Sequence, residues 1–332
     1  MQGAEPIHLW SRCHRCGMSP ILGSRFHCLT CGSSPDCDLC SGCYADYRAG
    51  RITHPLNPPS ARAAASHQFR VISGTPASRY SGWLKHNDRS PALPPPVATG
   101  LVVRPEFRFA STSAFGGHGV VIRFRSQCLL LTALHVMDDV CRSCGIDAGA
   151  HNPHYRPEEL PSLITSVRLY DVLRPRWMLH PLGEAGKMLV LAHARTADEE
   201  PFSSRDIAAF RIDAAGQLAP GRLAETEPQP GDPVWLVVAM PDGRRARRAR
   251  VIERSTSPDS FIFRYDDAEE MPKYTSGSAL LDKHGSVVGI NIGLGKLDGR
   301  EFGHANPLAS IRAHLEGALS APSASPVASE VR

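Results

Sequence analysis

The stretch Thr275–Gly293, "TSGSALLDKHGSVVGINIG", decides how the larger part of the chain is read. Ser276 stands between a threonine and a glycine, just before the apolar run "SALLD". A turn signal, "DKHG", then leads into a second apolar run, "SVVGINIG". Short apolar runs separated by a Gly-containing turn read as consecutive strands. A serine at the entrance to such a pair has rigid support and is a candidate nucleophile, provided that a base elsewhere can take its proton. Tyr274 complicates that reading, because a bulky side chain occupies a place where the backbone of an acyl-transfer site usually needs the freedom of glycine.

Working outward, runs of the same kind recur: "HGVVIRF", "CLLLTAL", "DIAAFRI", "PVWLVVAM" and "SFIFRY", each bounded by Gly, Pro or Asp. Their length and spacing predict an all-β sandwich or barrel over 101–316. Helix signals are sparse, the best being "PLASIRAHLEGAL" with Leu308, Ile311 and Leu315 on one face. The base and its partner are available in order. "LLLTALHVMDD" sets His135 at the end of an apolar strand, and "SSRDIAAFRI" sets Asp206 at the entrance to another. A His, an Asp and a Ser brought to one cleft can activate the serine. Taken singly, each also reads as a strand-end or turn residue.

Four motifs in this order, "GGHGVVI", "LTALHV", "DIAAF" and "TSGSALLDKHGSVVGINIG", resemble the chymotrypsin-type serine peptidases. The resemblance implies a mainly β, double β-barrel trypsin-like domain with a C-terminal helix. It implies His135 as general base, Asp206 as the group that orients it, and Ser276 as nucleophile. It also implies an oxyanion hole built from the backbone N–H groups of Ser276 and Tyr274, where the family usually has glycine at the latter position. If Tyr274 prevents that hole from forming, the alternative is a latent or non-catalytic binding protein. Glu270 falls near the family's specificity-pocket floor, where an acid selects Arg or Lys, although "DDAEEM" also reads as a solvated acidic turn. "GINIGLG", with Ile292 and Gly293, is expected to run beside the substrate backbone.

The N-terminal region has a different composition. Seven of the ten cysteines fall between Cys13 and Cys43, as Cys13-x2-Cys16, Cys28-x2-Cys31 and Cys40-x2-Cys43 with Cys37 between, and His54 and His67 follow. Such pairs grip the edges of tetrahedral zinc, and eight ligands suffice for two closed sites that stabilise a fold without catalysing. "CHRCGMSPILGSRFHCLTC" followed by "DCDLCSGCY" resembles the ZZ-type zinc finger. The resemblance implies one zinc on Cys13, Cys16, Cys40 and Cys43 and another on Cys28, Cys31, His54 and His67, with Cys37 as an extra thiol or a substitute ligand. It also implies a binding module in which Asp36 and Asp38 receive a peptide N-terminus. The plainer reading is that Asp38 supports the finger's own backbone.

Between finger and barrels, 73–100 is rich in Pro, Ser and Gly and reads as a linker, and 317–332 reads as a disordered tail. A third zinc site on Cys141, Cys144, His151 and His154 competes with a merely polar loop. "GRRARRARVIER" reads as a solvated basic face, with nucleic acid as the alternative. A net charge of +4 over 332 residues forces neither a nucleic-acid nor a membrane partner, and no run of 18 apolar residues occurs. The start of the chain lacks a basic region followed by a long apolar stretch, so the expectation is a soluble, cytoplasmic protein with reduced thiols, acting on a protein or peptide substrate. The Ala and Arg bias points to a bacterial stress or defence setting.

Overall fold

The structure is a computed structural model and describes residues 6–8, 13–16, 18, 21–29, 38–52, 67–72, 75–76, 94–146, 160–173, 180–189, 191, 194, 205–239, 245–256, 259–266, 275–297 and 300–320. The N-terminal region contains strands β1 (Pro6–His8), β2 (Ile21–Leu22), β3 (Arg25–Cys28), β4 (Asp38–Cys40), β5 (Phe69–Ile72) and β6 (Thr75–Pro76), with a helix over Ser41–Arg48. They form two small sheets, β2-β1-β6 and β4-β3-β5. Ile21, Leu39 and Tyr47 are buried beside Cys13 and Cys40. Among the described residues these five make a small core, less than a segment of this length usually needs to fold alone. Within the 73–100 stretch expected as linker, Thr75–Pro76 pairs with β1 as β6. That contact comes from a partner about 70 residues away in sequence, which composition cannot reveal.

The next eight strands are β7 (Val102–Arg108), β8 (Ser113–Phe115), β9 (Gly119–Phe124), β10 (Gln127–Thr132), β11 (Ser166–Asp171), β12 (Gly183–Leu189), β13 (Ala208–Ala214) and β14 (Gly221–Arg222). Pairing in the order β9-β10-β13-β12-β11-β7, with β7 returning to β9, closes a first barrel. The remaining strands, β15 (Pro233–Val237), β16 (Ala246–Thr256), β17 (Asp259–Tyr265), β18 (Ala279–Leu281), β19 (Val287–Leu297) and β20 (Arg300–Pro307), form a second closed barrel in the order β15-β16-β17-β20-β19-β18. Closure removes the unpaired edges that a flat sheet would expose.

Side-chain alternation explains which face turns inward. On β17, Phe261, Phe263 and Tyr265 join the core of the second barrel. Gly289 and Gly303 sit against these rings; a Cβ at Gly303 would lie 1.9 Å from Phe263 Cζ. Val237, Ala279, Leu281, Val287, Ile290 and Ile292 from the second barrel belong to the core of the first, so the two barrels share a continuous apolar contact. The C-terminal helix, Leu308–Ser320, buries Leu308, Ile311 and Leu315 as its spacing predicts. It runs through Ser320, past the 316 boundary read from composition. A helix over His135–Ser143 and a short one over Leu160–Leu163 had no clear sequence signal. Among the described residues, no helix is long and apolar enough to cross a membrane.

Candidate active site and metal centre

Cys13 and Cys16 lie in a turn facing Cys40 at the end of β4 and Cys43 in the helix that follows. Their four sulfurs lie within 4.8 Å of one another, and Cys16 Sγ is 3.8 Å from Cys40 Sγ. A tetrahedral zinc with Zn–S bonds of about 2.3 Å separates its sulfurs by about 3.8 Å. The donor set and spacing therefore fit a structural zinc, held by thiolates with no open position.

His135 opens its helix directly after β10, where the strand ends and the imidazole can reach a cleft. Its ring Nδ1 lies 2.7 Å from Asp206 Oδ2, and its backbone N–H donates to Asp206 Oδ1 at 2.8 Å. Both carboxylate oxygens thus grip one residue. The Asp206 side chain is 0% exposed and that of His135 is 20% exposed, so the pair is dry at one end and open at the other. An ionised carboxylate can only accept, so the hydrogen of this bond sits on Nδ1.

Ser276 sits in the turn that enters β18. Gly277 has φ of +88°, and a Cβ there would lie 1.9 Å from the His118 carbonyl oxygen and 2.5 Å from Thr132 Oγ1. Only glycine permits that approach. The His118 N–H donates to the Ser276 carbonyl at 2.7 Å, and Thr132 Oγ1 donates to the His118 carbonyl at 2.6 Å. Gly117 is wedged between this turn and the helix that begins at His135: its Cβ would meet the Ser276 oxygen at 2.7 Å and Val136 Cγ2 at 2.8 Å. The serine turn is therefore packed beside the start of the histidine helix. The Gly-rich "GGHG" segment, which sequence reading treats only as a strand motif, makes this junction. The Ser278 hydroxyl donates to the Val237 carbonyl and ties the same turn to β15.

The other expected site residues divide. Tyr274, Glu270, His151 and His154 lie outside the described residues. Ile292 is 3% exposed and packs in the core between the barrels. Gly293 is half-buried, and a Cβ built on it meets nothing within 4 Å, leaving open space beside β19. Cys141 is buried in the first barrel's core and Cys144 is half-buried just past the helix end. Part of the basic stretch on β16 is buried: Arg247 is 0% exposed, lies 4.0 Å from the Tyr265 ring centroid and pairs with Glu301 at 2.8 Å. Arg250 is 4% exposed and donates to the Gly231 carbonyl. Arg247 is received by an acid on β20 and an aromatic face, and Arg250, on the opposite face of the strand, by a backbone carbonyl.

Comparison with known proteins matches residues 7–51 to the family Zinc finger, ZZ type. The N-terminal region is a ZZ-type zinc finger. Dystrophin-1 of Caenorhabditis elegans is 36% identical over 63 residues, 18% of this chain and 2% of that protein, so the chain spans a very small part of that relative's length. Among solved structures, the Rv3671c protease of M. tuberculosis in its active form is 18% identical with a TM-score of 0.39, covering 70% of this chain and 93% of that one. A serine endoprotease from Yersinia pestis is 17% identical with a TM-score of 0.41, covering 67% of this chain and 64% of that one.

Within the ZZ finger, Cys28 Sγ lies 3.3 Å from His67 Nδ1, as two ligands of one ion would; Cys31, Cys37, His54 and Asp36 lie outside the described residues. Asp38 is 2% exposed, with Arg25 Nε 2.8 Å from one carboxylate oxygen and His27 Nδ1 2.9 Å from the other. The carboxylate expected to meet a peptide ammonium is engaged inside the finger by Arg25 and His27. Sequence reading missed this because Arg25 and His27 become its neighbours only when β3 pairs with β4.

Proposed function

We propose that the chain is a serine endopeptidase with Ser276 as nucleophile, His135 as general base and Asp206 as the group that orients it. The observation that carries this reading is the double grip of Asp206 on His135, buried on the carboxylate side and open on the imidazole side. In the proposed reaction His135 Nε2 takes the Ser276 hydroxyl proton as the oxygen attacks the scissile carbonyl. Asp206 stabilises the imidazolium, which then protonates the leaving amine. Water reverses the first half to free the acid. The oxyanion is assigned to the N–H groups of Ser276 and residue 274, each donor of this kind being worth about 3 to 4 kcal/mol of barrier. Glu270 is assigned to selecting a basic side chain.

The ZZ finger is proposed to hold two zinc ions, on Cys13, Cys16, Cys40 and Cys43 and on Cys28, Cys31, His54 and His67, and to recruit a protein or peptide to the cleft. The fit of the first four sulfurs and the Cys28–His67 contact support this. With Asp38 taken, Asp36 is the acid left to meet a peptide N-terminus. A third ion on Cys141, Cys144, His151 and His154 would raise the zinc content to three per chain.

A fluorophosphonate probe tests the enzyme reading. Labelling of the wild-type protein that vanishes in Ser276→Ala and falls sharply in His135→Ala is the expected result. A wild-type protein that resists labelling is a binding protein on a peptidase-like scaffold.

A further inference from the structure

A triad works only while its members keep their separation, and Asp206 and Ser276 reach the cleft from different barrels. Two asparagines that no motif singles out connect both to one strand pair. Asn291 on β19 and Asn306 on β20 are each 0% exposed, and Asn306 pairs with Ile290, the residue just before Asn291. Asn306 Nδ2 donates to the backbone carbonyl of Asp206 at 2.7 Å. Asn291 Nδ2 donates to the backbone carbonyl of Thr275 at 3.2 Å and lies 3.4 Å from its hydroxyl. The Asn291 main chain holds the far side of the same turn: its carbonyl accepts from the Gly277 N–H at 2.7 Å, and its N–H donates to the Ser278 carbonyl at 2.8 Å.

An amide buried among Ile290, Ile292 and the barrel core is unfavourable unless its hydrogens are used. Here each Nδ2 donates to a segment that carries the serine or the aspartate, while the two Oδ1 atoms are buried without a hydrogen-bond partner among the described residues. A valine or leucine would serve the packing of these strands alone.

We propose that Asn291 and Asn306 are positioning residues, and that the β19–β20 pair acts as a common brace setting the distance between the Asp206 carboxylate and the Ser276 turn. The inference rests on the triad reading. Asn306 keeps the Asp206 segment from moving away from His135, and Asn291 keeps Thr275–Gly277 from rotating the serine out of line. Misplacement by about 1 Å lowers turnover on the order of 10²-fold while leaving substrate contacts in place.

The test uses the full chain as wild type, Asn306→Leu, and Asn306→Ser, whose short side chain cannot reach Asp206 and which guards against a fold failure of the first. Turnover and KM on a peptide, the pH–rate profile, and the downfield proton resonance of the His135 Nδ1–H are measured on protein shown folded by circular dichroism. The expected result is kcat lower by about 10²-fold with KM unchanged, a displaced pH–rate midpoint, and a weakened or shifted His135 resonance. Wild-type kcat and an unchanged resonance in folded Asn306→Leu or Asn306→Ser overturn the brace. If the wild type neither hydrolyses nor labels, the peptidase reading fails, and the resonance still decides whether Asn306 holds the His135–Asp206 pair.

Discussion

His304 on β20 shows how much a single position depends on its surroundings. It is fully enclosed, and burial pushes its pKa from the usual 6.5 down to about 3. The folded protein therefore keeps it neutral under conditions in which the unfolded chain would protonate it. Stability is fully present above pH 6.5 and declines as pH falls towards about 3, because in that window the unfolded state binds the extra proton. Urea unfolding at pH 7, 5 and 4 should show this loss at up to about 1.4 kcal/mol per pH unit from this one group, and His304→Phe should flatten the slope. An equal slope in the variant would assign the acid sensitivity to other groups. At this scale sequence reading did well where a residue's chemistry is intrinsic: the finger's cysteine pairs announce metal binding by type and spacing. Asp38, Asn291 and Asn306 do not announce their roles, because what each amide or carboxylate does depends on the atom it meets after strands pair.

The strands illustrate the same division one level up. Short apolar runs bounded by turn signals made β17, β18 and β19 legible, and the amphipathic spacing of Leu308, Ile311 and Leu315 made the last helix legible. The arginine-rich β16 misled because its cations look solvated until β20 supplies Glu301. That pair links two strands that are not neighbours in the barrel order, and one partner is completely buried. Glu301→Gln should leave the Arg247 charge without its carboxylate and lower stability by about 3 kcal/mol in urea unfolding, towards the low end for breaking a buried pair. Replacing both members with apolar residues of similar volume should recover most of the loss. A single variant as stable as wild type would mean that the other groups around Arg247, the Tyr265 ring among them, suffice for its charge.

For the whole molecule the question is what the ZZ finger does for the barrels. If it recruits, its effect is one of local concentration and vanishes for substrates it cannot bind. In full-length protein carrying Cys13→Ser and Cys40→Ser, zinc content should fall and the finger should lose its fold, while hydrolysis of a short peptide by the barrels stays at the wild-type rate. Cleavage of a protein that the finger binds should fall at least 10-fold under dilute conditions. Equal losses on both substrates would show that the finger supports the barrels' fold. The amino-acid sequence by itself determined the metal-binding finger and the β class of the larger part, because ligand chemistry and short apolar runs bounded by turns are local properties. Only the tertiary structure decided that Asp206 clasps His135 at two atoms, that Asp38 is occupied by Arg25 and His27, and that Gly117, Asn291 and Asn306 tie the serine turn and the aspartate segment to their neighbours. Those relations arise when barrel closure brings together residues up to 100 positions apart, and no local pattern encodes which atoms will then meet.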